Sequence, residues 1–135
     1  MRASTVGLEG VIERFVRPAD AATAWGNGVP VLATPILLWW TELACMEALA
    51  RALEPDEMTV GARHDVRHLA PTPIGWKVEI RVRLVEIHGR CLRFEVAATD
   101  GVEPVLSGTH ERGVVSRSRF LARLQVKSDR MSIVD

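Results

Sequence analysis

The run TPILLWWTELACMEALARALEP, residues 34–55, constrains the fold more than any other part of the chain. Thr34 followed by Pro35 reads as a helix N-cap and first helical position. Pro55 ends the helix, because the residue before a proline is pushed out of the α region. A helix over residues 35–53 would be about 28 Å long. Between Pro35 and Ala50 its only charged residues are Glu42 and Glu47. A helix apolar on nearly every side has to be enclosed by other elements.

The rest of the chain supplies what can enclose it. Val11, Glu13, Phe15 and Arg17 alternate weakly and read as a strand, and residues 18–28 read as a loop or short helical turns. After the helix the period changes to two. Val60, Ala62, His64, Val66 and His68 share one face; Val78, Ile80, Val82 and Leu84 share another, in the cleanest strand of the chain. Leu92, Phe94, Val96 and Ala98 form a third inward face, and Asp100-Gly101 is a hairpin signal before a last strand over 104–118. Residues 120–124 allow a short helix, and the polar tail from Lys127 should fray. The expected architecture is therefore α+β: an antiparallel β-sheet wrapped around one long central helix, the hotdog fold. The single domain should span residues 1–126, with 127–135 as a polar C-terminal tail. One subunit leaves a flank of such a helix uncovered, so a homodimer, or a higher assembly of dimers, is expected.

Composition narrows the function classes. At 135 residues there is room for one core but not for a two-domain enzyme. Seventeen basic residues balance seventeen acidic ones, which argues against a nucleic-acid-coating protein. The apolar stretch over 29–40 falls short of the roughly 20 residues a membrane span needs, and the N-terminus has no apolar signal region. Cys45 and Cys91 are too few for a disulfide framework and sit in apolar runs, as reduced core residues of a cytoplasmic protein would.

Few residues can carry chemistry. Glu42 has Trp39, Trp40, Leu43 and Ala44 around it, and a buried carboxylate costs several kcal/mol unless paired or hydrogen-bonded. It is either functional or the solvated stripe of the helix. Glu47, about 140° further round, suits the solvated role better. His68 closes a strand on its apolar face, as a strand-end histidine or as a functional one. His64 and His68 imitate a metal pair, but on a strand their Cα atoms are about 13 Å apart, so no metal site is expected there. Thr34 caps the helix and lies beside free N–H groups that would stabilise a carbonyl developing negative charge. Arg112, Arg117, Arg119 and Arg123 form a basic run that is either a solvated edge or a phosphate contact. No Gly-rich phosphate loop or Gly-x-Ser-x-Gly elbow is present.

Several strings together carry a family resemblance. They are Ala33-Thr34; Glu42-Leu43-Ala44-Cys45; Gly61; His68-Leu69-Ala70-Pro71-Thr72-Pro73-Ile74-Gly75; Ala98-Thr99-Asp100-Gly101-Val102; and Ser107-Gly108-Thr109-His110-Glu111-Arg112. In this order and spacing, over residues 29–116, the chain resembles the fluoroacetyl-CoA thioesterase type of hotdog protein. The resemblance implies hydrolysis of a small acyl-CoA by Thr34, Glu42 and His68, with Gly61, His68 and Arg112 contacting substrate. It implies no cofactor, CoA being part of the substrate, and no nucleic-acid or membrane partner. Fluoroacetyl-selective members close the acyl pocket with a phenylalanine lid. Trp25 and Gly28 stand at the lid positions here, so fluoroacetyl selectivity is not expected. Two alternatives compete. An enoyl-CoA hydratase would need Asp-x-x-x-x-His, and Asp20 and Asp65 are followed at that spacing by Trp25 and Ala70. A non-catalytic acyl-CoA-binding dimer would have no need of Glu42.

Overall fold

A computed structural model describes residues 1–2 and 6–134. The elements are β1 (Glu9–Phe15), α1 (Thr34–Leu49), β2 (Glu57–His68), β3 (Lys77–His88), β4 (Cys91–Thr99), β5 (Pro104–Ser116) and α2 (Arg117–Val134). Two short 3₁₀ turns, Pro18–Asp20 and Ala22–Trp25, lead from β1 towards α1. The strands form one antiparallel sheet in the order β1-β3-β4-β5-β2. Among the described residues no helix is long and apolar enough to cross a membrane.

The sheet encloses α1 as its apolar pattern requires. Leu37, Ala44, Cys45 and Leu49 of α1 are fully buried, as are Val78, Ile80 and Leu84 of β3 and Leu92 and Phe94 of β4. The period-two faces read from the sequence are the core faces of β3 and β4. One flank of α1 stays open: Trp39 is 48% exposed and Met46 39%, with Pro35 and Glu42 on the same stripe.

The structure departs from the expected elements in several places. β1 begins and ends two residues earlier than the weak alternation suggested. α1 stops at Leu49, not at residue 53, because Ala50 N–H turns to the Glu47 carbonyl and Ala52 N–H to that of Leu49, closing the tighter i−3 pattern. Thr34 does not cap α1. Ala33 holds the N-cap position and Thr34 is already helical, which frees its hydroxyl. β2 carries a register shift between Gly61 and Arg63, so Ala62 is bulged outwards, although His64, Val66 and His68 keep a common face.

The end of the chain is helical where the sequence suggested only a short helix over 120–124. α2 runs unbroken from Arg117 through Lys127 to Val134. Asp56 anchors its start: Oδ1 accepts the Ser118 N–H at 3.1 Å, and Oδ2 accepts the hydroxyls of Ser116 and Ser118 at 2.7 and 2.8 Å. These bonds hold the Asp56 carboxyl below its usual range.

Candidate active site

Glu42 lies on the open flank of α1 with 30% of its side chain exposed. Its Oε1 accepts a hydrogen bond from Arg112 Nη1 at 2.8 Å. Arg112 comes from β5, is only 2% exposed, and is held along its whole guanidinium edge. Nε donates to Thr59 Oγ1 at 2.9 Å and Nη2 to the Thr59 carbonyl at 3.0 Å. A buried arginine in such a fork is a fixed cation. Gly61 lies opposite Arg112 in the β2–β5 register, and a Cβ at Gly61 would collide with Glu42 Oε1. Glycine therefore makes room for the ion pair. The basic run of the sequence divides accordingly: Arg117, Arg119 and Arg123 are exposed on α2, whereas Arg112 is buried against a carboxylate.

Two histidines complete this cluster. His110 is fully buried, and its Nδ1 lies 2.8 Å from the Arg63 carbonyl. A carbonyl only accepts, so Nδ1 carries the proton and Nε2 presents its lone pair to Arg112 Nη1 at 3.1 Å. Burial, the largest cause, pushes the His110 pKa down to about 4, so the ring is neutral near pH 7. His64 stacks on it with ring centroids 4.0 Å apart and planes 17° from parallel. His64 Nε2 faces Glu42 Oε2 at 3.5 Å. Ligand atoms of Glu42, His64 and His110 all lie within 4.8 Å of one another, close enough for a metal ion. Arg112 Nη1, however, already engages both Glu42 Oε1 and the His110 lone pair. A guanidinium thus engages two members of this donor set and supplies positive charge beside the third.

Thr34 and His68 form a second station. Thr34 Oγ1, freed from capping, is 2.7 Å from His68 Nδ1. His68 Nε2 is buried with no hydrogen-bond partner among the described residues, and burial holds the imidazole pKa below its usual value. The pair opens into a cavity of about 530 Å³ bounded by Trp25, Val29, Leu32 and Leu69. Trp25 stands at its rim, 56% exposed.

Within one protomer the two stations are separate. Eight helical residues from Thr34 to Glu42 span about 12 Å, and four strand residues from His68 to His64 span about 13 Å. α1 and β2 thus carry matching pairs, Thr34 with His68 and Glu42 with His64. The three residues that the resemblance groups together are not brought into contact in one chain. The sequence does not mark His64 and His110 as neighbours of Glu42, nor Thr59 as the partner of Arg112. The period-two pattern of β2 put His64 on the correct face, but only the β2–β5 register, in which His64 lies opposite His110, shows what it meets.

Comparison with known proteins places the chain in a family and agrees with its fold. Residues 16–118 match the family model of the fluoroacetyl-CoA-specific thioesterases. The fluoroacetyl-CoA thioesterase of Streptantibioticus cattleyicolor is 40% identical over 98 residues, covering 73% of this chain and 70% of that protein. A solved structure of a fluoroacetyl-CoA thioesterase superposes with a TM-score of 0.83 at 34% identity, covering 94% of this chain and 97% of the other. A thioesterase superfamily member from Thermus thermophilus superposes with a TM-score of 0.91 at 25% identity, over 98% and 99% of the two chains.

Proposed function

From the premise that this chain belongs to the fluoroacetyl-CoA-specific thioesterase family and has the hotdog fold of a thioester hydrolase, we propose that it hydrolyses a small acyl-CoA to the free acid and CoA. The observation that carries this reading is the Thr34–His68 hydrogen bond at the mouth of the cavity. The acyl group enters that cavity, and the thioester carbonyl lies at the Thr34 hydroxyl and the amino end of α1. There, hydrogen-bond donors and the helix dipole stabilise the developing oxyanion. Glu42 supplies the carboxylate that attacks the carbonyl carbon or deprotonates water, and Arg112 orients it through the hydrogen bond to Oε1. No cofactor takes part beyond the CoA of the substrate.

The active form is a homodimer. Thr34 and Glu42 stand on the unbroken helix α1 about 12 Å apart along its axis, so a second chain is what brings a Glu42 to a Thr34–His68 pair. The uncovered flank of Pro35, Trp39, Glu42 and Met46 supports the same reading. Trp25 at the cavity rim, with Gly28 beside it in the loop, provides no phenylalanine lid, which supports an enzyme without fluoroacetyl preference.

The test is release of free thiol from a panel of short, branched and aromatic acyl-CoA substrates. At least one should turn over, and Glu42→Gln should lower its rate by about 10² to 10⁴-fold with binding kept. Binding without release of CoA from any substrate would establish the non-catalytic module instead. A preference for fluoroacetyl-CoA over acetyl-CoA above roughly a hundredfold, about 2.7 kcal/mol, would refute the selectivity reading.

A further inference from the structure

The two oxygens of Glu42 are held unequally. Oε1 accepts from Arg112 at 2.8 Å. Among the described residues, the polar side chain facing Oε2 is His64, with Nε2 at 3.5 Å. The other nitrogen of His64, Nδ1, is buried and has no hydrogen-bond partner among the described residues. These facts fix the neutral tautomer. A proton on Nδ1 would bury an N–H without an acceptor and set the Nε2 lone pair against a carboxylate oxygen. A proton on Nε2 points N–H at Oε2 and leaves only an acceptor unsatisfied.

The ring is also fixed in orientation. It stacks at 4.0 Å on His110, which is itself pinned between the Arg63 carbonyl and Arg112. A ring packed in this way cannot swing freely off the carboxylate. We propose that His64 is a positioning residue for Glu42. Its Nε2–H steadies Oε2 while Arg112 holds Oε1, and together they set the carboxylate plane that meets the thioester. This assignment rests on the thioesterase reading of Glu42. It makes His64 the imidazole coupled to the carboxylate within one chain, leaving His68 to Thr34 and the cavity.

The experiment is a double-mutant cycle on the intact protein, with kcat and KM measured on the best acyl-CoA of the panel. His64→Phe keeps a ring stacked on His110 but removes the donor; His64→Leu serves in its place if circular dichroism shows the Phe variant unfolded. His64→Phe should lower kcat by roughly 10- to 100-fold with KM changed by less than about threefold. His64→Gln, which restores an N–H donor, should recover kcat to within about fivefold of the parent. In a Glu42→Gln background, His64→Phe should cause no further loss, because the residue it steadies no longer reacts. A His64→Phe enzyme within twofold of the parent overturns the proposal. So does a further tenfold loss in the Glu42→Gln background, or a Gln variant as slow as Phe. Full turnover in Glu42→Gln alone removes the thioesterase reading of Glu42 itself. An inactive Glu42→Gln beside an active His64→Phe removes only the role of His64.

Discussion

Thr34 sits one position inside α1, and its hydroxyl meets His68 instead of the helix backbone. This separates two roles that one threonine can serve. A capping threonine replaced by alanine costs about 1 kcal/mol, which lowers Tm by several degrees. Thr34→Ala should instead lower Tm by less than about 2 °C, while turnover drops at least about tenfold. Thr34→Ser, which keeps the oxygen, should recover most of the turnover. Thermal melts and initial rates on the three proteins decide between the roles, and a large Tm loss with full activity would return Thr34 to capping alone.

The β2–β5 pair is the element on which the Glu42 cluster depends. It sets His64 opposite His110 and Gly61 opposite Arg112. Gly108 lies within it at φ +151°, opposite Val66, and a Cβ there would collide with the Asp65 carbonyl oxygen. Gly108→Ala should therefore lose about 2 kcal/mol or more of stability, since backbone that cannot shift has to absorb both the clash and the strained φ. Gly113 on the same strand provides the contrast, because a Cβ there meets only Val60 Cγ2 at 3.9 Å. Gly113→Ala should stay within about 0.5 kcal/mol of the parent. Urea midpoints for both variants test this, and equal midpoints would show that the pair tolerates displacement at Gly108.

For the whole molecule, the buried neutral His110 couples folding to pH. Its pKa is about 4 in the folded chain and about 6.5 when unfolded. Between these values the unfolded chain binds the extra proton, so protonation favours unfolding. The contribution is present in full above about pH 6.5 and is lost as pH falls towards 4, for a total of roughly 3 kcal/mol. His68, lowered by burial, acts in the same direction. Denaturant unfolding from pH 7.5 to 4.5 should show falling stability, and His110→Gln should flatten that slope. An unchanged slope in the variant would mean that other groups carry the acid sensitivity.

The enclosed helix, the strand faces and the family strings follow from the sequence because they are local. Periods of 3.6 and 2, prolines at fixed offsets and charges missing from an apolar run are properties of neighbours along the chain. Glu42, Thr34, His68, Gly61 and Arg112 could be named on that footing, the last two through family resemblance. Their partners could not. That Arg112 is buried against Glu42 while Arg117 is solvated depends on which strand face turns inwards and where β5 ends. That His64 serves Glu42 and His68 serves Thr34 depends on the bulge at Ala62 and on the alignment of α1 with β2. Register and crossing are set by packing between segments more than 20 residues apart. The free energies that choose them are sums over many small contacts, so tertiary structure alone divided the expected triad into two stations.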